Sequence, residues 1–361
     1  MKTSVSWGLR TVTGLAAAAT IGALGIMGAG AAVADTGCQM AGDSGFTAAV
    51  VAHQGQTIKN TTVDAAGCDV GVYVDVANVT INGVKVTGAN AAGILAEHTT
   101  DFTVINSTVA HNGFHAPAAP TPPGTPPAAG QLDQAFAISL FGVSHATVSR
   151  NTVYDNGRGG IGVMDNGPFD PGRVVGLPTY AENVPVSDVM VSRNTLWANY
   201  AGCAIVVSAF NTGNTVNDVT ITRNTIHGTT GDAGNVGGIV AQSNGVNSVV
   251  SNIMISRNTV TDSGEAGAIV HAAAAGSMTK NVTVTRNVLS GNNWMAEHTI
   301  GVEVSSRVIP ADLGQKNVNT VVTRNTISNQ FYGIWTQGPD TPVIARNDIT
   351  VTAGGASVHF E

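Results

Sequence analysis

Apolar and polar positions alternate over short stretches of this chain, and one such stretch recurs throughout it. Seven copies contain an Arg-Asn pair, with an aliphatic residue three positions before the Asn and two positions after it. Three degenerate copies upstream keep both aliphatic positions. The ten copies centre on Thr61, Val84, Ser107, Asn151, Asn194, Asn224, Asn258, Asn287, Asn325 and Asn347. Because β-branched residues dominate and the alternation has a period of two, each copy is predicted to be a β-strand.

The spacing of the copies predicts how these strands are arranged. The centres are 23, 23, 44, 43, 30, 34, 29, 38 and 22 residues apart, a base period near 22 with insertions of varying length. A coil of this size cannot bury its own apolar face and has to stack on the next coil. We therefore predict an all-β fold, a single-stranded right-handed parallel β-helix of about ten coils. A second short strand is expected in most coils, with these residues at equivalent places: Ile94, Ile138, Ile161, Ile205, Ile239, Ile269, Val302 and Ile334.

The repeated Asn suits the turn that has to follow each strand. Asn tolerates the left-handed backbone conformation, and its amide donates to and accepts from an Asn in the neighbouring coil. Seven Asn residues in register predict a ladder of hydrogen bonds between neighbouring coils. The repeats resemble those of pectate-lyase-like right-handed β-helix proteins, which have carbohydrate-binding and sugar-hydrolysis repeats, over roughly residues 50–361. That fold hosts lyases, hydrolases, epimerases and non-catalytic adhesins, so the resemblance implies the fold and leaves the activity to be argued from sites.

The N-terminus has the features of a secretion signal. Lys2 and Arg10 precede an apolar run rich in Ala and Gly, which ends at Ala32-Val33-Ala34. We expect cleavage there and a secreted protein without membrane attachment, with a retained anchor as the alternative. We predict a signal peptide at residues 1–34 and an N-terminal cap, formed by a short helix or strand, at residues 35–56. The β-helix is predicted over residues 57–361, with three insertions at residues 111–133, 165–187 and 291–299.

Charge and cysteine content limit which partners the protein can bind and indicate the compartment in which it folds. The net charge of −7 argues against nucleic acid as a partner. In an oxidising compartment we expect Cys38 and Cys68 to form a disulfide, which would stabilise the fold by about 3–4 kcal/mol. Cys203 is predicted to be a buried thiol. We expect a monomer, because a solenoid extends by adding coils to itself.

Two groups of residues suggest chemistry near coils two to five. Alignment on the Asn position puts His111 and Asp155 in equivalent places on neighbouring coils, and Tyr154, Trp197 and His227 one residue earlier. A His beside a carboxylate is a candidate acid/base pair, and a row of aromatic rings suits sugars. The alternative is that these are ordinary solvated turn residues.

A pair of carboxylates is the second group. Alternation places Asp75 and Glu97 at the same outward position on adjacent coils, about 5 Å apart. Such a pair suits glycoside hydrolysis, and it also suits Ca²⁺, although we expect no cofactor. Asp165 and Arg158 complete the predicted groove, Asp165 as an acid, base or metal-holding group and Arg158 as a substrate-binding residue for a uronate. If these residues are not functional, the next candidate site is the group formed by Glu297, His298, Glu303 and Trp335.

Seven of the eleven arginines directly precede the repeated Asn: Arg150, Arg193, Arg223, Arg257, Arg286, Arg324 and Arg346. Cations stacked about 4.8 Å apart repel by roughly 1 kcal/mol per neighbouring pair even in water. Solvation, local carboxylates such as Asp188 and Asp218, or an anionic polymer would offset that cost. The sequence thus predicts a secreted protein that cleaves a polysaccharide as a lyase or hydrolase, or alternatively a non-catalytic glycan-binding or cell-surface protein.

Overall fold

The computed structural model describes residues 37–41, 46–113, 136–157, 159–165, 184–199, 202–229, 237–292, 298–306, 313–338 and 340–361. By its internal contacts the chain divides into Met1–Gly30 and Ala31–Glu361. The predicted signal peptide, the centres of all three predicted insertions, Arg158 and Glu297 lie outside the described residues. Everything below concerns the second unit.

One stack of strands precedes the repeated Asn positions. Its members form an 11-stranded sheet in which every pairing is parallel. They are β3 (Thr57–Lys59), β6 (Thr80–Asn82), β9 (Thr103–Ile105), β12 (Ser144–Ser149), β15 (Val186–Ser192), β18 (Thr215–Thr222), β21 (Val249–Ser256), β24 (Met278–Thr285), β27 (Lys316–Val318), β28 (Val321–Thr323) and β30 (Val343–Ala345).

A second stack follows the Asn positions and a third completes each coil. The second contains β4 (Thr62–Asp64), β7 (Lys85–Thr87), β10 (Thr108–Ala110), β13 (Thr152–Tyr154), β16 (Thr195–Trp197), β19 (Thr225–Thr229), β22 (Thr259–Ser263) and β25 (Val288–Ser290). The third contains β2 (Phe46–Val51), β5 (Val70–Val74), β8 (Ala92–Glu97), β11 (Ile138–Phe141), β14 (Ile161–Met164), β17 (Ile205–Ala209), β20 (Ile239–Ser243), β23 (Ala268–Ala272) and β26 (Ile300–Ser305). Two long strands, β29 (Thr326–Gln337) and β31 (Asp348–Phe360), run through both stacks.

Each strand pairs in parallel with its counterpart one coil later, which confirms the predicted parallel β-helix of about ten coils. Within the described residues the exception is β1 (Gln39–Ala41), which pairs antiparallel with β2. Because β2 itself pairs with β5, the predicted cap is a strand at this point and continues the third stack.

The aliphatic positions of the repeat fill the interior. Both are buried in the first nine coils, from Ile58 and Val63 to Val322 and Ile327. In the last coil Ile344 and Ile349 are only partly buried, so the prediction of full burial is wrong there. The equivalence assigned to Ile269 is also wrong.

Register explains the error at Ile269. Ala268 pairs with Ile239 on one side and with Val302 on the other, so Ala268 occupies the interior position. Ile269 is one residue further and points to the opposite face of the sheet, because side chains alternate along a strand. It is still buried there, in a second apolar cluster on the outer face.

The Asn ladder is present in all seven predicted coils. Asn224 Nδ2 donates to Asn258 Oδ1, and Asn258 Nδ2 donates to Asn287 Oδ1, both at 3.0 Å. Backbone N–H groups of the same residues donate to the same oxygens at 2.9 Å. The pattern continues through the remaining members, Asn151, Asn194, Asn325 and Asn347.

The left-handed turn residue is the Arg and not the Asn. All seven arginines have φ between 57° and 59°, whereas none of the ladder Asn residues has a positive φ. In the upstream coils Asn60, Gly83 and Asn106 hold the same position with positive φ. The expectation that Asn supplies the left-handed conformation is therefore wrong, and its contribution is the buried amide.

The disulfide that the sequence predicts is present, whereas Cys203 is less buried than predicted. Cys38 and Cys68 form a disulfide with an S–S distance of 2.04 Å, and Cys68 is buried. Cys203 is free and partly buried. Burial, with a further contribution from the charge of Glu265, raises the pKa of the Cys203 thiol to about 12. The thiol is therefore protonated and unreactive at neutral pH.

Candidate functional site

The structure brings His111 and Asp155 together. Each adopts a left-handed conformation in the turn after β10 and β13 respectively, so both side chains leave the coil on the same side. His111 Nδ1 lies 2.7 Å from Asp155 Oδ2, and the two side chains are 52% and 33% exposed. At that exposure the pair adds little to stability, so its geometry rather than its energy makes it a candidate acid/base pair.

Tyr154 and Trp197 form the predicted row beside this pair. They are register partners in β13 and β16, and their rings are stacked 4.6 Å apart at an angle of 5°. His111 contacts Tyr154 edge to face at 5.6 Å. Because the inner ring faces cover each other, these residues present mainly ring edges outward, whereas a sugar platform uses a ring face.

His227 continues the row as the register partner of Trp197. Its Nδ1 lies 2.7 Å from Thr261 Oγ1 and 3.6 Å from Asp262 Oδ2. His227 and Asp262 thus repeat, three coils after His111, the association of a His with a carboxylate in the next coil. Arg158, the other predicted substrate-binding residue, lies outside the described residues.

The two predicted carboxylates at Asp75 and Glu97 have unlike surroundings. Asp75 is exposed, but Glu97 is only 2% exposed and accepts a 2.5 Å hydrogen bond from the Tyr73 hydroxyl. Glu97 thus lies on the outer face, as the alternation predicts, but it is buried there and is not available as the second acid of an exposed pair. The reason is that the outer face of the third stack is apolar and buried in these coils, where Leu95, Phe141 and Met164 are all close to fully buried.

Asp165 is also engaged within the protein. Its carboxylate accepts hydrogen bonds from the backbone N–H of Phe210 and Asn211 and from Asn214 Nδ2, at 2.7, 3.1 and 2.9 Å. Burial raises the pKa of Asp165, and these hydrogen bonds oppose that shift. Asp165 joins the end of β14 to the turn after β17, which is a structural role.

On the later coils the outer face of the third stack changes from apolar to polar. The position held by Leu95, Val206, Val240 and Ile269 is held by Glu303 in β26, by Trp335 in β29 and by His359 in β31. Cys203 and Gly237, which come just before β17 and β20, lie beside a further acid, Glu265. Gly237 leaves space for it, since a Cβ there would lie 3.1 Å from both Cys203 Sγ and Glu265 Oε2.

Glu265 and Glu303 form an asymmetric pair of carboxyl groups. Burial, with the negative charge of Glu303 added, raises the pKa of Glu265 to about 7. Glu303 is partly buried, and its Oε1 accepts a hydrogen bond from Ser305 Oγ at 2.8 Å. A buried acid whose pKa is raised to about 7, beside a second carboxyl group, is a candidate for general acid catalysis.

Aromatic rings gather next to this pair. His298 stacks on Phe331 at 4.1 Å, and Tyr332 stacks on His359 at 4.3 Å. Tyr332 also contacts both His298 and Phe331 edge to face. Sequence reasoning named Glu303, Trp335 and His298 but missed Glu265, because its place in the coil lies outside the repeated strand pattern.

Metal and membrane sites were also sought. The described residues contain no cluster of three or more His, Cys, Asp or Glu side chains arranged to hold a metal ion. In the same residues, no helix is long and apolar enough to cross a membrane.

The sequence matches the family described as the right handed beta helix region over residues 47–250, more than half of the 361 residues. The chain belongs to this family. It therefore has a right-handed β-helix, as the repeats predict. No curated protein matches the chain by sequence.

Several solved structures share the fold at low identity. PfbA, a surface adhesin of Streptococcus pneumoniae, has a TM-score of 0.53 and 13% identity, over 84% of this chain and 70% of that one. An exopolygalacturonase from Thermotoga maritima has a TM-score of 0.43 and 12% identity, over 80% of this chain and 55% of that one. The mannuronan C-5 epimerase AlgE4 A-module from Azotobacter vinelandii has a TM-score of 0.43 and 16% identity, over 86% and 74%. This chain thus spans about half the length of the exopolygalacturonase.

Proposed function

We propose that this protein is secreted and hydrolyses glycosidic bonds in a polysaccharide, with Glu265 as the general acid and Glu303 as its carboxylate partner. The proposal rests on two carboxyl groups whose charges interact, on a part of the outer sheet face where Glu303, Trp335 and His359 replace the apolar residues of earlier coils. Glycoside hydrolysis uses one protonated and one ionised carboxyl group on either side of the scissile bond.

The surroundings of each group suit its role. Burial keeps the proton on Glu265, so that it can be given to the departing sugar oxygen. Ser305 donates a hydrogen bond to Glu303 and so orients that carboxyl group. Trp335, directly beside Glu303 in register, offers an aromatic side chain next to the acids.

Release of reducing ends from a panel of polysaccharides tests this function. Glu265→Gln and Glu303→Gln should each lower turnover by at least 100-fold, the size of a typical acid/base contribution. Asp75→Asn is the matched control, since it removes an exposed acid on an earlier coil of the same sheet and should leave turnover unchanged. Unaltered turnover in the two glutamine variants would refute the assignment.

Non-catalytic glycan binding is the second candidate function. It is favoured by the outward row of His111, Tyr154, Trp197 and His227, in which the exposed polar atoms of the two His residues can form hydrogen bonds with sugar hydroxyls. If this is the function, Trp197→Ala weakens polysaccharide binding, and no polysaccharide in the panel yields reducing ends. Turnover that depends on Glu265 excludes it as the whole function.

A further inference from the structure

The seven arginines of the repeat form a straight row of exposed cations. Each is in the turn between the first and second stacks, and all are exposed. Since the strands before and after them pair coil by coil, successive arginines are separated by one strand spacing, about 4.8 Å. The row crosses seven coils of a protein whose net charge is −7.

None of these guanidinium groups is neutralised by the part of the chain that the structure describes. No hydrogen bond or ion pair involves the side chain of any of the seven. Asp188 and Asp218, which the sequence suggests as counter-charges, lie within β15 and β18, five residues before Arg193 and Arg223. Asp218 accepts hydrogen bonds from Asn217 and Asn252 instead.

The turn itself does not require arginine. The conformation is left-handed, which is unfavourable for a residue with a long side chain and is better adopted by Gly or Asn. The three upstream coils have Asn60, Gly83 and Asn106 there. Arginine at this position is thus unfavourable for two reasons: the backbone conformation does not suit it, and neighbouring arginines repel one another. Such a departure from local preference is expected at functional positions.

Hydroxyl groups border the row on both sides. Ser or Thr precedes the Arg in six of the seven coils, and Thr follows the Asn in five of the seven: Thr152, Thr195, Thr225, Thr259 and Thr326. No aromatic residue occupies either border. A sugar chain offers hydroxyl partners for such borders, whereas single-stranded nucleic acid is held mainly by stacking on aromatic rings.

We propose that this row is a binding surface for a linear acidic polysaccharide, with about one carboxylate of the polymer opposite each coil. An extended uronate chain carries one carboxylate per sugar, so it is a linear array of negative charge opposite a linear array of cations. The surface is separate from the Glu265 and Glu303 pair, which lies on the third stack. The inference therefore goes beyond the proposed hydrolysis and does not depend on it.

Binding of polygalacturonate, with fully methyl-esterified pectin as the uncharged probe, tests the proposal by titration calorimetry at several salt concentrations. The double variant Arg223→Asn/Arg257→Asn keeps a residue suited to the turn and should weaken polygalacturonate binding by at least 10-fold and reduce its salt dependence. Lys280→Asn/Lys316→Asn removes the same charge elsewhere and should bind as the wild type does. The conservative Arg223→Lys/Arg257→Lys should retain most of the affinity.

Three results would overturn the inference: unchanged affinity in the Arg-to-Asn variant, an equal loss in the Lys-to-Asn control, or tighter binding of single-stranded DNA than of polygalacturonate. The Glu265→Gln variant distinguishes failure of this inference from failure of the hydrolase proposal. It should bind polygalacturonate as the wild type does, whether or not turnover is lost.

Discussion

Asn258 donates its side-chain amide to Oδ1 of Asn287 in the next coil, at 3.0 Å. The same amide donates to the backbone oxygen of Ile221 at 3.0 Å, and the Asn258 oxygen accepts from both the backbone N–H and the side chain of Asn224. One side chain thus satisfies polar groups in three coils. This makes the ladder a structural requirement of the stack rather than a surface feature.

Asn258→Ala should therefore lower the free energy of unfolding by about 3 kcal/mol or more, because buried donors and acceptors are left without partners. Urea denaturation followed by circular dichroism measures this. Asn347→Ala is the matched control at the end of the ladder, where the residue is only partly buried, and should cost less. Equal losses at the two sites would show that burial of the ladder contributes nothing.

Gln330 occupies the place that Asn292 holds one coil earlier, five residues after the ladder Asn. Gln330 is fully buried, and within the described chain neither its amide nitrogen nor its oxygen has a hydrogen-bond partner. Asn292, by contrast, accepts from Ser263 N–H and donates to the Val260 carbonyl.

Gln330→Leu should consequently raise the free energy of unfolding by about 1–2 kcal/mol, since it removes an unpaired buried amide and keeps the volume similar. Asn292→Leu should lower it by about 2 kcal/mol or more, because it breaks two buried hydrogen bonds. Thermal denaturation of both variants provides the comparison. A loss of stability in Gln330→Leu contradicts the prediction.

Trp197→Ala should cost about 1–2 kcal/mol of stability, from the loss of its stacking on Tyr154 and of buried ring area. Asp155→Asn, which removes the ion pair with His111 at a solvated position, should cost less than about 1 kcal/mol. Denaturant midpoints measure both. A larger effect in Asp155→Asn would mean that the ion pair, and not the stacking, stabilises this edge.

The repeat made the fold predictable because each coil reuses the same interior positions and the same Asn. The register of Ile269 was not predictable, because Ala268 and Ile269 are both apolar and both buried, on opposite faces of the sheet. For the site, the sequence correctly predicted that His111 lies beside Asp155 and Tyr154 beside Trp197, since each pair occupies equivalent positions in neighbouring coils. The depth of burial of Glu97 depends on what packs over the outer face, and periodicity carries no information about that.

The pH dependence of stability and turnover should report on Glu265. Its folded-state pKa, about 7, is above the value of about 4.3 for an exposed Glu, so the folded protein binds the proton more tightly than the unfolded chain. The stabilisation is thus complete below about pH 4.3 and is lost as pH rises through about 7, by at most about 3 kcal/mol. Glu265→Gln should flatten this part of the stability profile, as measured by denaturation at pH 5 to 8.

Turnover should follow the same group, because the general acid must be protonated. We expect a falling limb near pH 7 for the wild type. Glu303→Gln removes the neighbouring negative charge, so the pKa of Glu265 falls, and the loss of stability moves to lower pH. Asp75→Asn should leave both profiles as they are. A stability profile that is the same in Glu265→Gln as in the wild type would show that Glu265 does not retain its proton in the folded protein, and the assignment of the general acid would fail with it.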